Sequence, residues 1–485
     1  MKITLRWSAS LVSIIAVSAV GLFLSDAFAR QRRASLRNVV VRSTPIYTTG
    51  GFTFSAPLEL PKTIPNPQVF FVQDAEPEIK IDIFGTIYVT AINGVPGGTD
   101  LWKSTDNGAT FIYLGQPDGA QDKCLTATPE CLALGGADDA IDVSTGGYLY
   151  VTSLYAGSVN VSTSMDGGTG GIEPGQAWQV QPVGSEVPVD DRQWVAAYGP
   201  QTLYLTMRQA PGTGRLFFFK STDAGKTFVP TAANPLTTIV SREGNLVVDP
   251  YNGNLYTTFT TNGATNQVSL LRSLDGGNTW STIPIYTGPI GTDLNNAFPM
   301  LAVDRGGNLH LAFAQSIGIS PNRTGCHVYL MSTANPAAPI PTWTTPVQVD
   351  NGSLNNTALM PWIVGGSPGV VDITWYGSTV GSPDVTPNSD KTMGQWWKVF
   401  FAQVTNVFSG SPVFNQAVVA NDVHNLAICS SGTGCVTSPT STSTRKLLEY
   451  YTMTVDPDGN ANIAFPNSVD NCPSNLCLTN TWFAK

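Results

Sequence analysis

Ser221-Thr222-Asp223-Ala224-Gly225-Lys226-Thr227-Phe228 recurs as Ser104-Thr105-Asp106-Asn107-Gly108-Ala109-Thr110-Phe111 and as Ser273-Leu274-Asp275-Gly276-Gly277-Asn278-Thr279-Trp280. A degraded copy, Ser164-Met165-Asp166-Gly167-Gly168-Thr169, loses the register before Trp178. The common pattern is S-x-D-x-G-x-T-aromatic. An Asp carboxylate accepts backbone N–H groups inside a tight turn. The Gly supplies positive φ at little cost. Ser and Thr hydroxyls bond to neighbouring backbone, and the ring anchors the turn on an apolar core.

A second repeat interleaves with the first: a polar entry, an apolar strand, a turn often of the form D-x-x-G, and a strand rich in Tyr, Val and Leu. The entries are Glu76-Pro77-Glu78, Asp138-Asp139, Asp190-Asp191-Arg192, Arg242-Glu243, Asn296-Ala297-Phe298-Pro299, Leu359-Met360-Pro361-Trp362 and Leu448-Glu449-Tyr450. A period of roughly 50 to 65 residues suits four short strands, and such units bury their faces only by packing radially. The expectation is an all-β chain: one β-propeller of four-stranded antiparallel blades over residues 45–485, with seven blades, or six if one unit is degenerate. The last unit runs out near Trp482. A strand from about Val39 to Ser55 is therefore expected to close the ring and remove its exposed edge. Residues 378–395 and 406–446 break the period and read as loop insertions, either a rim over a site or solvated surface.

The octapeptide resembles the Asp-box, or BNR, repeat of the sialidase superfamily. The resemblance implies a propeller that engages glycans, with an exo-sialidase-like glycoside hydrolase as its enzymatic form. Sialidases have six blades. They place three arginines on the substrate carboxylate, a Tyr–Glu pair as nucleophile and base, and an Asp as acid/base. They usually open with Arg-Ile-Pro. This chain has no Arg-Ile-Pro, and Glu76-Pro77-Glu78 stands at its first entry. Carried over residue by residue, the resemblance points loosely to Glu243, Tyr450 and Asp139 as catalytic groups.

Residues 1–29 have the form of a cleavable secretory signal: Lys2 and Arg6, an uncharged stretch from Ser8 to Leu24, and Ala27-Phe28-Ala29. A basic leader with five arginines follows over 30–44. Charged residues make up 12% of the chain, against about 25% in average proteins. The formal charge of −9 argues against a nucleic-acid partner. Nothing after the signal is apolar for long enough to span a membrane. The seven cysteines form three close pairs, Cys124/Cys131, Cys429/Cys435 and Cys472/Cys477, plus Cys326. That pattern fits local disulfides in an oxidising compartment. With three histidines and no metal spacing, no metal or cofactor is expected, and the protein reads as a secreted monomer. No G-x-S-x-G with a partnered His suggests a serine hydrolase.

In a blade with strands A to D, the A–B and C–D turns share one end, and the B–C loops and blade-to-blade entries share the other. Both turn motifs fall on the first end, the bottom. The second end, the top, collects Arg192, Arg208, Arg215, Arg242, Arg323 and Arg445, the acids Glu76, Glu78, Asp138, Asp139, Asp191 and Glu243, and the aromatics Trp194 and Tyr450. Aromatic faces stack on sugars, and guanidiniums bind carboxylates through paired N–H donors. Arg192, Arg242, Glu78, Asp191 and Trp194 are the expected substrate-binding groups. Glu78 with Asp139 and Asp191 with Glu243 are the carboxyl pairs on which glycoside hydrolysis would turn. The alternative is a non-catalytic propeller that binds a protein or a surface polysaccharide.

Overall fold

The computed structural model describes residues 44–485 except 62–73, 94–97, 120–137, 156–157, 170–177, 186–189, 210–213, 232–233, 262, 352–353, 432–434, 436–442 and 470–478. The expected signal, the basic leader and Cys124, Cys131, Cys472 and Cys477 lie outside the described residues.

Seven antiparallel blades form the molecule. Their innermost strands are Asp74–Ile81, Asp139–Val143, Asp190–Tyr198, Val240–Glu243 with Val247–Val248, Thr292–Asp293 with Met300–Val303, Thr357–Gly365 and Thr452–Val455. These strands touch in that order, and the seventh returns to the first, so the ring is closed around a central channel. Strands near the axis lie between two neighbouring blades and are buried on both faces. Ile87–Asn93, the second strand of blade 1, is buried at every position and reads Ile-Tyr-Val-Thr-Ala-Ile-Asn. The outermost strand Ser281–Thr287 of blade 4 is mostly exposed. Two short 3-10 turns, Pro117–Gly119 and Lys391–Met393, are the helical elements given among the described residues.

Ring closure differs from expectation. The outermost strand of blade 7 is Leu58–Glu59, paired with Phe483 and Trp482. The earlier segment Ile46–Thr49 runs parallel to the outer strand of blade 6, Val413–His424. There Tyr47 stacks on Phe414 with centroids 5.3 Å apart and donates to the Gln348 carbonyl of blade 5 at 2.6 Å. Val413–His424 itself falls inside 406–446, so that stretch holds a twelve-residue strand as well as a connection.

Each octapeptide forms the turn between the third and fourth strands of its blade. In the Ser221 copy the Ser hydroxyl donates to Asp223 at 2.7 Å and accepts the Gly225 N–H at 2.9 Å. Asp223 then accepts the Thr227 N–H at 2.9 Å and its hydroxyl at 2.7 Å. The Ser104 and Ser273 copies repeat this set. The degraded copy keeps the Ser164–Asp166 and Gly168–Ser164 bonds. The glycine serves the neighbouring blade as well as the turn: a Cβ on Gly108 would sit 2.5 Å from Phe483 of blade 7, and one on Gly277 would sit 2.4 Å from Phe218 of blade 3. These turns therefore staple blades 1 and 4 to their predecessors.

Candidate functional site

The strands entering the channel are kinked at their top ends. Glu76, Arg192, Ala297, Met360 and Leu448 adopt positive φ, and the pairing register shifts at the entries of blades 1, 3 and 6. Such bulges re-aim the side chains around them. Here they gather acids and arginines from six blades at one end of the channel.

Arg192 lies at the centre. Its guanidinium is 2.6 Å from Glu76, 2.9 Å from Asp138 and 3.8 Å from Glu449. It lies over Tyr450, Phe298 and Trp194, with 4.7, 5.0 and 5.6 Å to the ring centroids. Both Glu76 and Asp138 are buried, and burial raises their pKa against the pull of Arg192. Glu449 moves the other way: burial opposes ionisation, but Arg242, Arg445 and Arg192 outweigh it and hold the carboxylate ionised.

Arg208 joins a second pair, lying 2.7 Å from Asp191 and 3.0 Å from Glu243. The side chain of Asp191 is 40% exposed and that of Glu243 only 1%. Burial pushes Glu243 up to about 7. At Asp191 burial is outweighed, first by Arg208, and the pKa falls. Arg208 and Arg242 both donate to the Ser241 carbonyl, at 3.2 and 3.4 Å. Arg242 donates further to the Ser430 carbonyl at 3.2 Å. Its direct hydrogen bonds go to these carbonyls, while its charge acts on Glu449 and more weakly on Asp191.

Ser430 sits in a disulfide loop, Cys429–Cys435, which bears out one expected pair. Cys326 is free and buried. Arg323 binds the same loop through Ser430 Oγ at 2.8 Å and also pairs with Asp384 at 2.6 Å. Asp384 belongs to the 378–395 insertion, and Ile428 donates to Pro383 of that insertion at 2.8 Å. The two insertions thus form one braced rim above Arg242.

Below the mouth the channel is filled. Trp194, Phe298, Trp362 and Tyr450 pack edge to face and stacked, with centroids 5.1 to 6.4 Å apart. Trp194 and Tyr450 are 2% and 1% exposed, so neither offers a face to a ligand at the mouth. The Tyr450 hydroxyl donates to the Asp139 carbonyl at 2.8 Å and lies 3.3 Å from Glu78. Burial raises Glu78 to about 7. It raises Asp139 well above the carboxylate range, with Glu78 adding to the effect. The expected residues therefore divide into two groups: Asp191, Arg242 and the edge of Glu243 at the mouth, and Asp139, Glu78, Trp194 and Tyr450 in the buried layer beneath. Arg192 joins the two.

Blade 5 holds a Ser-His-Asp line that no sequence motif marks. His310 Nδ1 is 2.8 Å from Ser332 Oγ, and its Nε2 is 3.1 Å from Asp304. All three residues are buried to within 1%, and Asp304 also accepts the Gly369 N–H of blade 6 at 2.7 Å. No substrate reaches a hydroxyl so enclosed, and the line acts as an interblade tie.

The chain matches no protein-family model and no curated protein. Among solved structures it is similar to an ulvan lyase of polysaccharide lyase family PL25, at 11% identity and a TM-score of 0.50, with 85% of this chain and 94% of that chain covered. It is also similar to the GH74 xyloglucanase from Xanthomonas campestris, at 14% identity, a TM-score of 0.47 and 85% and 54% coverage. A third is Trypanosoma rangeli sialidase in complex with sialic acid, at 13% identity, a TM-score of 0.41 and 91% and 59% coverage. At 11% identity the likeness to the lyase is one of fold.

Proposed function

We propose that this protein is a secreted, Asp-box-like propeller that binds an acidic glycan at the arginine-bearing mouth of its channel. The observation that carries this reading is Arg242. It lies half-buried beside Arg208, with its direct hydrogen bonds on the Ser241 and Ser430 carbonyls and Glu449 within its field. A sugar carboxylate or sulfate would replace the neutral carbonyls with a charged acceptor for its N–H groups. Arg445, paired with Glu449 at 3.3 Å and with 27% of its side chain accessible, places a second guanidinium at the same edge. The aromatic layer beneath closes the channel, so the glycan lies across the mouth. Secretion is supported by the disulfide and by the form of residues 1–29. No helix among the described residues is long and apolar enough to cross a membrane.

A glycan array of sialylated, uronate-containing, sulfated and neutral chains tests the reading. The expected result is retention of acidic glycans alone, with affinity reduced by about 10- to 100-fold in Arg242→Ala, as for loss of a charge-assisted hydrogen bond. Equal binding of neutral glycans, or an unchanged affinity in that variant, refutes it.

One observation favours a second reading, hydrolysis. Asp191 and Glu243 share Arg208, yet their environments drive their pKa values apart, the pattern of an acid–base pair. Glu243 would then be the general acid and Asp191 the ionised partner. A panel of fluorogenic glycosides that includes a sialoside decides between the readings. Turnover abolished in Glu243→Gln establishes the enzyme. Absence of turnover in folded protein leaves the binding propeller.

A further inference from the structure

Beneath the aromatic layer the channel opens into a cavity of about 250 Å³. It is separate from the mouth. Its lining comes from the lower halves of the innermost strands, so it faces the end of the molecule that carries the turns. Trp194 and Trp362 form its roof. The indole N–H of Trp362 is bonded to the Met453 carbonyl at 3.0 Å, whereas that of Trp194 is buried with no hydrogen-bond acceptor among the described residues.

The walls differ. Blades 1 and 2 supply Glu78, Lys80 and Asp142, while the opposite side is aliphatic, with Val247, Val303 and Val364 of blades 4, 5 and 6. Lys80 lies 3.5 Å from Asp142. Asp142 also accepts the Val143 and Ala197 N–H groups at 3.0 and 2.7 Å, and Glu78 accepts that of Ile141 at 2.9 Å. These bonds fix the polar groups in place. Asp142 Oδ2 and both oxygens of Glu78 retain a lone pair, and the ammonium retains donors. Asn245, by contrast, is committed to both backbone groups of Leu301.

We propose that this cavity is a second ligand site, one that takes a single neutral sugar ring entering from the turn-bearing end of the channel. The size argues for one ring, since drug-sized ligands occupy about 300–1,000 Å³. The charge pattern argues for a neutral occupant. An anion meets two carboxyl groups, a cation meets the ammonium, and only a polyol uses donor and acceptor side by side. The two-sided lining argues for a sugar in particular. Its hydroxyl edge suits the blade 1–2 wall, its C–H face suits the aliphatic wall and the indoles, and one hydroxyl gives the Trp194 N–H its acceptor. The site uses none of the arginines of the mouth and stands or falls apart from acidic-glycan binding there.

Saturation-transfer NMR of the full chain with D-glucose, D-galactose and L-rhamnose tests this, with glucuronate and glucosamine as charged controls. The expected result is a millimolar Kd for at least one neutral sugar and no transfer to either control. Lys80→Met is expected to weaken binding at least tenfold, Ala302→Phe to abolish it by filling the cavity, and Arg242→Ala to leave it unchanged. Absence of transfer to every neutral sugar overturns the proposal. So does binding unaffected by Lys80→Met, or binding lost in Arg242→Ala, which would place the sugar at the mouth. Lys80 is one-third exposed, so Lys80→Met decides the matter even where the bulkier Ala302→Phe does not fold.

Discussion

Arg192 concentrates the electrostatics of the channel in one side chain. It faces three carboxyl groups and three aromatic rings while 2% exposed. Arg192→Met keeps the contact with the rings and leaves Glu76 and Asp138 buried without their cation. Breaking a buried pair in this way typically costs about 3–5 kcal/mol, and urea denaturation at pH 7 measures it. A loss under about 1 kcal/mol would show that the carboxyls are already protonated and need no partner. Glu78 makes a separate prediction about pH. Its pKa rises from 4.5 to about 7 on folding because burial disfavours the charge. Between those values the folded state holds more protons than the unfolded one, so this group's contribution to stability declines as pH rises from 4.5 to 7 and is level above. Glu78→Gln removes that slope. The expected outcome is a variant that gains on wild type by on the order of 3 kcal/mol between pH 4.5 and 8, read from unfolding curves at each pH. Parallel curves for the two proteins would place Glu78 in contact with water.

At the scale of the element, the octapeptide turns were legible as turns because every bond in them is local. Ser221, Asp223, Gly225 and Thr227 satisfy one another within seven residues. What their glycines touch was not legible, because Phe483 is hundreds of residues from Gly108 in sequence. A fifth turn of the same kind was missed for a related reason. Thr333 donates to Asn335 at 2.9 Å, and Asn335 accepts the Thr342 N–H at 3.1 Å. Substitution of Ser and Asp, plus three extra residues, hid the pattern while preserving two of its bonds. The Val413–His424 strand was hidden by Asn415, Gln416, Asn421 and Asp422, which dilute the apolar signal of an outer strand. The acids and arginines of the mouth could be assigned to the top from topology alone. Their pairing, and the closure of the channel by Trp194, depend on how seven blades meet. Gly108→Ala tests the staple. Gly108 and Gly459 have φ of +84° and +88°, but a Cβ on Gly459 meets nothing within 4 Å. Gly459→Ala should therefore cost only the backbone strain, about 1–3 kcal/mol. Gly108→Ala should cost at least about 1 kcal/mol more, because it displaces a packed Phe483 ring. Equal losses in thermal unfolding would reduce the turn to a local device.

For the whole molecule the decisive join is the one between the ends of the chain. A propeller whose last blade lacks its outer strand exposes an unpaired edge, and the contribution of Leu58–Glu59 is larger than two residues suggest. Leu60, which follows, is 3% exposed against Phe483 and Ala464, and the Pro61 carbonyl accepts the Trp102 indole N–H of blade 1 at 2.9 Å. The segment therefore caps blade 7 and ties it to blade 1. Ile46–Thr49, by contrast, only adds a fifth strand to blade 6. Two truncations separate these roles. A chain beginning at residue 54 loses the blade 6 strand and keeps the closure. One beginning at residue 62 loses both. The second should lose about 2–3 kcal/mol from the burial of Leu60 and about 1–3 kcal/mol from the orphaned Trp102 donor beyond any loss in the first. Calorimetry should show the larger drop in Tm for the chain beginning at 62, and light scattering should show concentration-dependent association through the bare edge of Asn480–Ala484. Identical Tm values for the two truncations would mean that the ring is held by its innermost strands alone, and that the strand exchange between the chain's ends contributes nothing to its closure.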